Sequence, residues 1–323
     1  MNIRDASKVF RVGGLLSGSK LTAVDNVSLT IGQNDAKVLS LVGESGSGKT
    51  TLSRMILGLV KPTCGQILYN GTNVSVVKGK QLCKFRQEIQ PIFQNPFEAF
   101  NPLKRVDRYL YGAAINYNLA KSKDEAENVV SEALRVVGLS LDSVKGKFPH
   151  EFSGGELQRV SIARALIPQP QVLIADEPVS MLDASVKMGI INIFLQLKQK
   201  FDMSIIFVTH DLDTAYYISD DIVVMLRGAI VESGPVQEVL TKPLHPYTRL
   251  LLDCLPEPDP EKRWKEQIRL SDLEVTEFEA LGCKFAKRCP HAKEICLTKR
   301  PPKTEIKDAP SRYVECWRHA CKD

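Results

Sequence analysis

The octapeptide Gly43-Glu44-Ser45-Gly46-Ser47-Gly48-Lys49-Thr50 lies between a short apolar run and a helical pattern. It fits G-x-x-x-x-G-K-[ST], whose glycines let the backbone wrap so that successive N–H groups point at phosphate oxygens. We expect Lys49 to reach the β- and γ-phosphates of a nucleoside triphosphate and the Thr50 hydroxyl to ligate Mg²⁺. The residues predicted to bind the nucleotide here are Gly43, Glu44, Ser45, Gly46, Ser47, Gly48, Lys49, Thr50 and Thr51.

Strand-like and helix-like patterns alternate around this loop, which predicts an α/β domain with a largely parallel sheet. The predicted strands cover residues 38–42, 172–175 and 204–208, and the predicted helices cover residues 124–137, 156–167 and 186–201. Residues 24–31 alternate in the manner of a half-exposed antiparallel strand. Residues 67–69, followed by Asn70-Gly71, predict a strand that enters a tight turn.

A second group of polar residues follows the predicted strands, at the point where each strand ends. Asp176 and Glu177 come directly after residues 172–175, and His210 follows residues 204–208. The carboxyl ends of parallel strands form the ligand-binding edge of an α/β sheet. We therefore expect Asp176 to hold Mg²⁺ and Glu177 to orient or deprotonate the attacking water. Taken alone, an acidic pair or a histidine at a strand end is also typical of an ordinary loop.

The segment Ser153-Gly154-Gly155-Glu156 opens the predicted helix at residues 156–167. Ser153 and Glu156 have the spacing of a capping box, which by itself indicates only a well-capped helix. The two glycines between them leave the helix N-terminus accessible, and such a terminus is suited to binding an anion.

Taken together, these motifs resemble those of the ATP-binding subunits of ABC transporters, and they occur in the order found in that family. The matching segments are residues 43–50 (Walker A), 92–96 with Gln94 (Q-loop), 152–159 (signature), 174–178 (Walker B), 180–183 (D-loop) and His210 (H-loop). The resemblance implies the cofactors ATP and Mg²⁺. It also implies that Glu177, His210 and Lys49 are the catalytic residues.

The resemblance further implies a dimer in which two subunits meet head-to-tail and enclose two ATP molecules. The signature residues of one subunit then complete the phosphate loop of the other. Gln94 would contact Mg²⁺ and the water, and His210 would contact the γ-phosphate. Phe10 is a candidate to stack on the adenine, with a core strand aromatic as the open alternative.

Two positions depart from the family pattern. Glu156 stands where the family usually has Gln, and Met181 stands in the D-loop where a small residue is usual. An added negative charge near the γ-phosphate would weaken closure of the dimer, although the capping role of Glu156 is kept. Neither change removes a catalytic group, so we expect a site that is competent for ATP hydrolysis.

The C-terminal segment, residues 243–323, narrows the resemblance to the ATPases of oligopeptide, dipeptide and nickel importers. Residues 243–251 resemble that group, as do residues 148–151 and 93–102. The tail also carries the cysteine pattern of the group, C-x5-C-x6-C followed by nineteen residues and a fourth cysteine, at Cys283, Cys289, Cys296 and Cys316.

We therefore expect an α/β fold of the P-loop NTPase class. An ABC-type ATPase domain would occupy residues 1–242, with a mixed sheet core, an antiparallel β subdomain and a helical subdomain. A small cysteine-rich C-terminal domain would occupy residues 243–323.

The four tail cysteines are candidate metal ligands. Four thiolates on short loops suit Zn²⁺ or an iron–sulfur cluster, and clustered cysteines in a reducing compartment favour a metal over disulfides. The C-x2-C spacing that is common in zinc sites is missing. Pro290 after Cys289, together with the resemblance, favours [4Fe–4S]; zinc, or no metal with or without disulfides, remains an alternative. Cys321 is an alternative to Cys316 as the last ligand.

Composition limits the partners and the location. The net charge of +5 is mild and is not gathered in one block, so no nucleic-acid partner is predicted. No apolar run is long enough to cross a bilayer, and the N-terminus lacks the apolar stretch of a secretory signal. We therefore expect a peripheral subunit on the cytoplasmic face of the cell membrane.

The sequence as a whole predicts the ATP-hydrolysing, energy-coupling subunit of an ABC importer for peptides or related small solutes, with oligosaccharides or nickel as open cargoes. The implied partners are a second ABC ATPase subunit, commonly a different chain, two transmembrane permease subunits docked near residues 94–105, and an extracellular substrate-binding protein. The alternative is a non-transport ABC ATPase of the translation or DNA-repair type. The single ATPase domain and the lack of a heptad run disfavour that alternative.

Overall fold

The computed structural model describes residues 1–12, 19–32, 36–255, 278, 280–307 and 309–320. Its strands, numbered in chain order, are β1 Asn2–Val12, β2 Ser19–Thr30, β3 Val38–Val42, β4 Cys64–Tyr69, β5 Thr72–Asn73, β6 Ile89–Ile92, β7 Val172–Asp176, β8 Ser204–Val208, β9 Asp221–Leu226, β10 Ala229–Pro235, β11 Lys303–Ile306 and β12 Ala309–Glu315. Its helices are α1 Lys49–Ile56, α2 Gly79–Glu88, α3 Asp107–Asn116, α4 Lys123–Val136, α5 Leu141–Val144, α6 Gly154–Leu166, α7 Ala184–Phe201, α8 Leu212–Ile218, α9 Val236–Thr241, α10 Pro246–Asp253 and α11 Glu294–Thr298.

These elements fall into two compact units. The first unit comprises Met1–Thr30, Ser40–Ser75 and His210–Asp323, and the second comprises Ile31–Leu39 and Val76–Thr209. Residues on both sides of the predicted boundary at 242 therefore belong to the first unit, and a separate domain at residues 243–323 stays a prediction. Within the described residues, no helix is both long enough and apolar enough to span a bilayer.

An antiparallel sheet in the order β2-β1-β4-β5 forms one part of the first unit. The predicted antiparallel strand at residues 24–31 lies within β2, which pairs with β1. Asn70 and Gly71 join β4 to β5, and both have positive φ, 47° and 79°. Asn and Gly adopt this left-handed conformation at low cost, so the predicted tight turn is confirmed.

A hydrophobic core in the first unit joins the C-terminal segment to the strands that precede it. In this unit β9, β10, β12 and β11 are antiparallel neighbours in that order. Tyr247 of α10 and Phe285 of the tail are at most 1% exposed, and they belong to the same apolar cluster as Ile222 and Val224 of β9. Burying these two aromatic rings stabilises the folded state by several kcal/mol, at about 25 cal/mol per Å² of apolar area removed from water.

The second unit contains the parallel strands of the fold. β6 pairs with β7 and β7 with β8, all parallel, as expected for short apolar runs separated by helices. The predicted helices correspond to α4, α6 and α7, with bounds that differ by two residues at most. α6 begins at Gly154 because Ser153 caps it, so the signature glycines are helical.

Candidate functional site

The phosphate loop in the first unit links the fully buried β3 to α1. Gly43 has φ +146°, and a Cβ there would lie 2.1 Å from the carbonyl oxygen of Met225. Gly48 has φ +101°, and a Cβ there would lie 2.3 Å from the carbonyl oxygen of Ala23. Neither position accepts a side chain, because backbone atoms of neighbouring strands approach too closely. These two contacts fix both ends of the loop.

Lys49 is folded back onto its own loop. Its Nζ donates hydrogen bonds to the carbonyl oxygens of Gly43 and Glu44, each at 2.8 Å, and to Ser47 Oγ at 3.3 Å. The lysine is only 5% exposed. Its ammonium group lies at the N-terminus of α1, whose partial positive charge adds to the attraction for phosphate.

Glu44 connects this loop to the C-terminal segment through its N–H and its carboxylate, and to the rest of the loop through its carbonyl oxygen. Its N–H donates to Tyr247 Oη at 3.0 Å, and its carboxylate accepts from Arg288 Nη1 at 2.9 Å and Nη2 at 3.4 Å. Its carbonyl oxygen accepts from the Ser47 N–H at 3.1 Å and from Lys49. A two-bond Arg–carboxylate pair is stronger and more directional than a single contact.

The other predicted nucleotide residues of the first unit are accessible. Phe10 of β1 is 37% exposed, with Lys8 Nζ 5.1 Å from its ring centroid. Thr50 and His210 are exposed and Thr51 is half-buried. An exposed ring fits the stacking role better than the alternative of a core aromatic; the roles of all four residues remain predictions.

Gln94 and Glu177 meet in the second unit. Gln94 Nε2 donates to Glu177 Oε2 at 3.0 Å, although the two residues are far apart in the sequence. Asp176 is the last residue of β7 and is half-buried. Glu177 has φ +46°, and its N–H donates to the Val208 carbonyl oxygen at 2.9 Å. A non-glycine residue in this region stores strain of about 1–3 kcal/mol, which is found most often at functional positions.

The signature segment forms the predicted capping box. The N–H of Glu156 donates to Ser153 Oγ at 3.3 Å, and the Ser153 N–H donates to Glu156 Oε2 at 2.9 Å. The Ser153 hydroxyl also lies 2.8 Å from the same carboxylate oxygen. Hydrogen bonds from the backbone and side chain of Ser153 lower the pKa of Glu156. Gly155 is packed against α7, where a Cβ would lie 2.4 Å from Val186 Cγ1.

The D-loop is fixed to the acidic pair through its serine. Ser180 Oγ donates to the carbonyl oxygen of Glu177 at 3.0 Å. The next residue, Met181, is 61% exposed. The unusual methionine therefore leaves the core of its own unit undisturbed.

The four tail cysteines line one cavity of about 20 Å³, together with His245, Phe285 and His291. All four carry thiols, with no disulfide among the described cysteines. Burial raises the pKa of the Cys283 thiol to about 12, and it also raises the pKa values of Cys289 and Cys316.

Four thiols around one cavity fit a metal centre by their chemistry. However, within the described residues no group of three or more His, Cys, Asp or Glu side chains is arranged to hold a metal ion. The predicted [4Fe–4S] cluster and its zinc alternative are therefore not supported by this arrangement, and Cys321 lies outside the described residues.

A buried ion pair holds the start of the C-terminal segment. Glu232 of β10 is fully buried and accepts from Arg312 Nη2 at 2.7 Å and from the N–H groups of Leu244 and His245, both at 3.0 Å. His245 is 1% exposed, and its Nδ1 accepts from the N–H of Tyr247 at 3.0 Å. Burial, with a smaller contribution from His319, lowers the pKa of His245 to about 3.

The fold and the loop define a P-loop ATPase of the ABC class. The sequence matches the ABC transporter family over residues 24–180, and the oligopeptide/dipeptide transporter C-terminal region over residues 231–296. The chain belongs to the ATP-binding subunits of ABC transporters and is an ATP-hydrolysing subunit. The comparisons give no support to the non-transport alternative.

Three proteins illustrate these similarities. A putative peptide import ATP-binding protein of Brucella ovis is 38% identical over 92% of both chains. The di/tripeptide transport ATP-binding protein DppF of Pseudomonas aeruginosa is 36% identical over 98% of this chain and 96% of its own. Among solved structures, the dimeric ATP-binding cassette MJ0796 bound to ADP and Pi aligns with a TM-score of 0.64 and 26% identity, over 73% of this chain and 98% of that one.

The sequence alone did not predict the contacts that the C-terminal segment makes with the phosphate loop. Tyr247 and Arg288 lie within segments that carry the resemblance to the importer group, but the resemblance assigns neither residue a role. The only local signal was the acidic side chain of Glu44 in the second position of a loop that binds phosphate. Its partner is 244 positions away, so no local pattern reveals it.

Proposed function

We propose that this chain binds MgATP at residues 43–51 and hydrolyses it to drive peptide import through membrane subunits. The observation that carries the ATP site is the glycine-bounded loop at the start of α1, with Lys49 held by three loop oxygens. Such an ammonium group exchanges loop oxygens for the β- and γ-phosphate oxygens that it binds more strongly.

The roles of the other residues follow from their chemistry. Thr50, Asp176 and Gln94 supply the oxygen ligands that Mg²⁺ prefers, and the ion would neutralise charge on the phosphates. Glu177 would accept the proton of the attacking water while Gln94 orients its carboxylate through the 3.0 Å hydrogen bond. His210 would contact the γ-phosphate, and Phe10 would stack on the adenine.

Steady hydrolysis would require a dimer. Residues 153–156 would bind the γ-phosphate held by the loop of a second ATPase subunit, through the N-terminus of α6. The dimeric arrangement of the cassette MJ0796, bound to ADP and Pi, supports this part of the proposal. The second ATPase would be a different chain.

The cargo and location are inferred from the relatives. Those described above are named as peptide or di/tripeptide transport proteins, and the C-terminal match is to the oligopeptide/dipeptide region. The chain would act on the cytoplasmic face of the membrane, docked to two permease subunits that receive peptides from an extracellular binding protein. Co-purification of both permeases with the tagged chain is expected. Recovery with ribosomes or DNA-repair complexes instead would refute the import function.

The catalytic assignment is tested by Glu177→Gln in the assembled transporter. The amide keeps an oxygen for Gln94 but accepts no proton, so the ATPase rate is expected to fall about 10²- to 10⁴-fold while ATP stays bound. Glu132→Gln is the matched control, because Glu132 is an exposed α4 residue that pairs only loosely with Arg135 at 3.7 Å. An unchanged rate in Glu177→Gln would refute the assignment.

We also propose that Cys283, Cys289, Cys296 and Cys316 bind a metal centre, a [4Fe–4S] cluster by preference and zinc otherwise. Their shared cavity supports this proposal. The cavity of about 20 Å³ is small for a cluster of eight iron and sulfur atoms, so binding a cluster would require its lining to rearrange. The centre would tie together a segment that has little core of its own.

Elemental analysis of anaerobically purified protein tests the metal centre. Iron with acid-labile sulfide, four of each per chain, is expected for a cluster, and one zinc for the alternative. Cys296→Ser should remove the metal, whereas Cys83→Ser, which changes an exposed thiol in α2, should not. Metal-free protein, or equal metal content in both variants, would refute the proposal.

A further inference from the structure

The C-terminal segment contacts the phosphate loop at Glu44, the second residue of the loop. Arg288 is only 11% exposed and donates two hydrogen bonds to the Glu44 carboxylate. Its guanidinium lies 5.3 Å from the ring centroid of Phe285 and 5.8 Å from that of Tyr247. Because both rings are buried in the core of the first unit, the guanidinium is held in one orientation.

The peptide group between Gly43 and Glu44 transmits this contact to Lys49. Its N–H, which is that of Glu44, donates to Tyr247 Oη at 3.0 Å, and its carbonyl oxygen, which is that of Gly43, accepts from Lys49 Nζ at 2.8 Å. A rotation of this peptide would therefore move one of the oxygen acceptors of Lys49. The C-terminal segment thus fixes the orientation of a peptide group to which the phosphate-binding lysine is hydrogen-bonded.

A second series of contacts links the C-terminal segment to the loop through Asp25 and Gly228. Asp25 of β2 pairs with Lys284 Nζ at 3.3 Å and with Arg300 Nη1 at 3.5 Å. The Asp25 N–H donates to the Gly228 carbonyl oxygen, and the Gly228 N–H donates to the Ser47 carbonyl oxygen, both at 2.9 Å. Two separate parts of the C-terminal segment are therefore connected to Ser47 and Glu44.

Charge gives the Arg288 contact a second consequence. Glu44 places a carboxylate within the loop that must attract a triphosphate, and like charges in the same site repel. Arg288 compensates this carboxylate where the pair is only partly exposed, so solvent screens it incompletely. Without the guanidinium, the loop would present an uncompensated negative charge to the nucleotide.

We propose that Arg288 and Tyr247 are positioning residues for ATP binding, which hold Glu44 and its peptide from the C-terminal segment. This inference rests on the proposed binding of MgATP at residues 43–51. It assigns a role at the nucleotide site to a segment that the sequence marks only by its cysteines and by its resemblance to the importer group.

Binding of a fluorescent ATP analogue with Mg²⁺ to the full chain tests the proposal. Arg288→Met is expected to weaken binding roughly tenfold, which equals about 1.4 kcal/mol. Arg249→Met is the matched control, because it removes an exposed arginine from α10 of the same segment. In the assembled transporter, Arg288→Met should raise KM for ATP by a similar factor and change kcat less than twofold. A merely destabilised fold would instead lower the active fraction.

Four further variants separate the possible results. Glu44→Gln removes the charge that Arg288 compensates, so adding Arg288→Met to it should weaken binding by less than about threefold. Tyr247→Phe should weaken binding by several-fold, because it leaves the Glu44 N–H without its acceptor. Arg288→Lys keeps the positive charge but lacks the planar guanidinium that donates two hydrogen bonds. Its affinity for the analogue should lie between those of the wild type and Arg288→Met.

If Lys49→Ala abolishes binding while Arg288→Met and Arg249→Met bind equally well, the positioning role is refuted and the ATP site stands. Full additivity of Glu44→Gln and Arg288→Met would also refute it. If Lys49→Ala binds the analogue as wild type does, the proposed ATP site itself is refuted. Thermal unfolding of each variant identifies any that fail to fold, and in that case Glu44→Gln with Arg288→Lys still provides the cycle.

Discussion

Replacing Arg312 by Met should destabilise the protein, because Arg312 neutralises a carboxylate that is entirely buried. Arg312 Nη2 lies 2.7 Å from Glu232 Oε1, and the two side chains are 6% and 0% exposed. Removing one member of a buried pair typically costs about 3–5 kcal/mol. Here Glu232 would keep the N–H donors of Leu244 and His245, so we expect the lower end, about 3 kcal/mol.

Thermal unfolding followed by circular dichroism measures this loss. For domains of about 150–250 residues, 1 kcal/mol shifts Tm by roughly 2–4 °C, so Arg312→Met should lower Tm by about 6–12 °C. Arg300→Met is the comparison, because Arg300 pairs with Glu315 and Asp25 while remaining 28% exposed; water reaches these pairs more readily, so their loss should cost less than the loss of Arg312.

A compensating double variant sharpens the test. Glu232→Leu with Arg312→Met replaces the pair by apolar groups and should recover much of the lost Tm, because no charge is left buried and unpaired. A loss in Arg312→Met no larger than in Arg300→Met would refute the reasoning. A double variant less stable than Arg312→Met alone would refute it too.

The other expected outcomes concern pH, the signature helix and the loop. Burial lowers the pKa of His245 to about 3 in the folded state, so the unfolded state takes up a proton at a higher pH than the folded state does. The free energy of unfolding should therefore fall as the pH is lowered from about 6.5 to 3, by at most roughly 1.4 kcal/mol per pH unit. His245→Asn should flatten this slope in denaturant titrations. Glu156→Gln removes a negative charge from the N-terminus of α6, so ATP-dependent dimerisation in a Glu177→Gln background, measured by light scattering, should strengthen; equal or weaker dimerisation would contradict this. Ser153→Ala removes the cap of α6 and should cost about 1 kcal/mol in urea unfolding. Gly48→Ala places a Cβ 2.3 Å from a carbonyl oxygen and should abolish binding of the ATP analogue, whereas retained affinity would show that the loop tolerates the displacement.

The local patterns of the sequence predict much of this fold because each depends on neighbouring residues. Alternating apolar positions predict β2, and short apolar runs predict β3, β7 and β8. Helical periodicity predicts α4, α6 and α7. The capping box is likewise a local feature, and its hydrogen bonds form as predicted between Ser153 and Glu156. In each case the residues that make up the pattern lie close together in the sequence.

The remaining features depend on residues that are distant in the sequence. Glu232 and Arg312 pair across 80 positions, and nothing in either neighbourhood indicates the other. The positive φ of Glu177 arises where its N–H meets Val208 of a neighbouring strand, which the acidic pair alone does not reveal. Cysteine spacing predicts that the thiols lie in one segment, but not the distances between them.

The pairing of Glu44 with Arg288 has a consequence for exchanging parts between related proteins. A chimaera that joins residues 1–242 of one subunit to the C-terminal segment of another would combine a loop and a segment that were not matched. Where the loop is acidic at this position and the incoming segment lacks the arginine, the hybrid would fold yet bind nucleotide poorly. Supplying that single arginine should restore its affinity. The two segments are thus interchangeable only as a matched set, although 244 positions separate their paired residues.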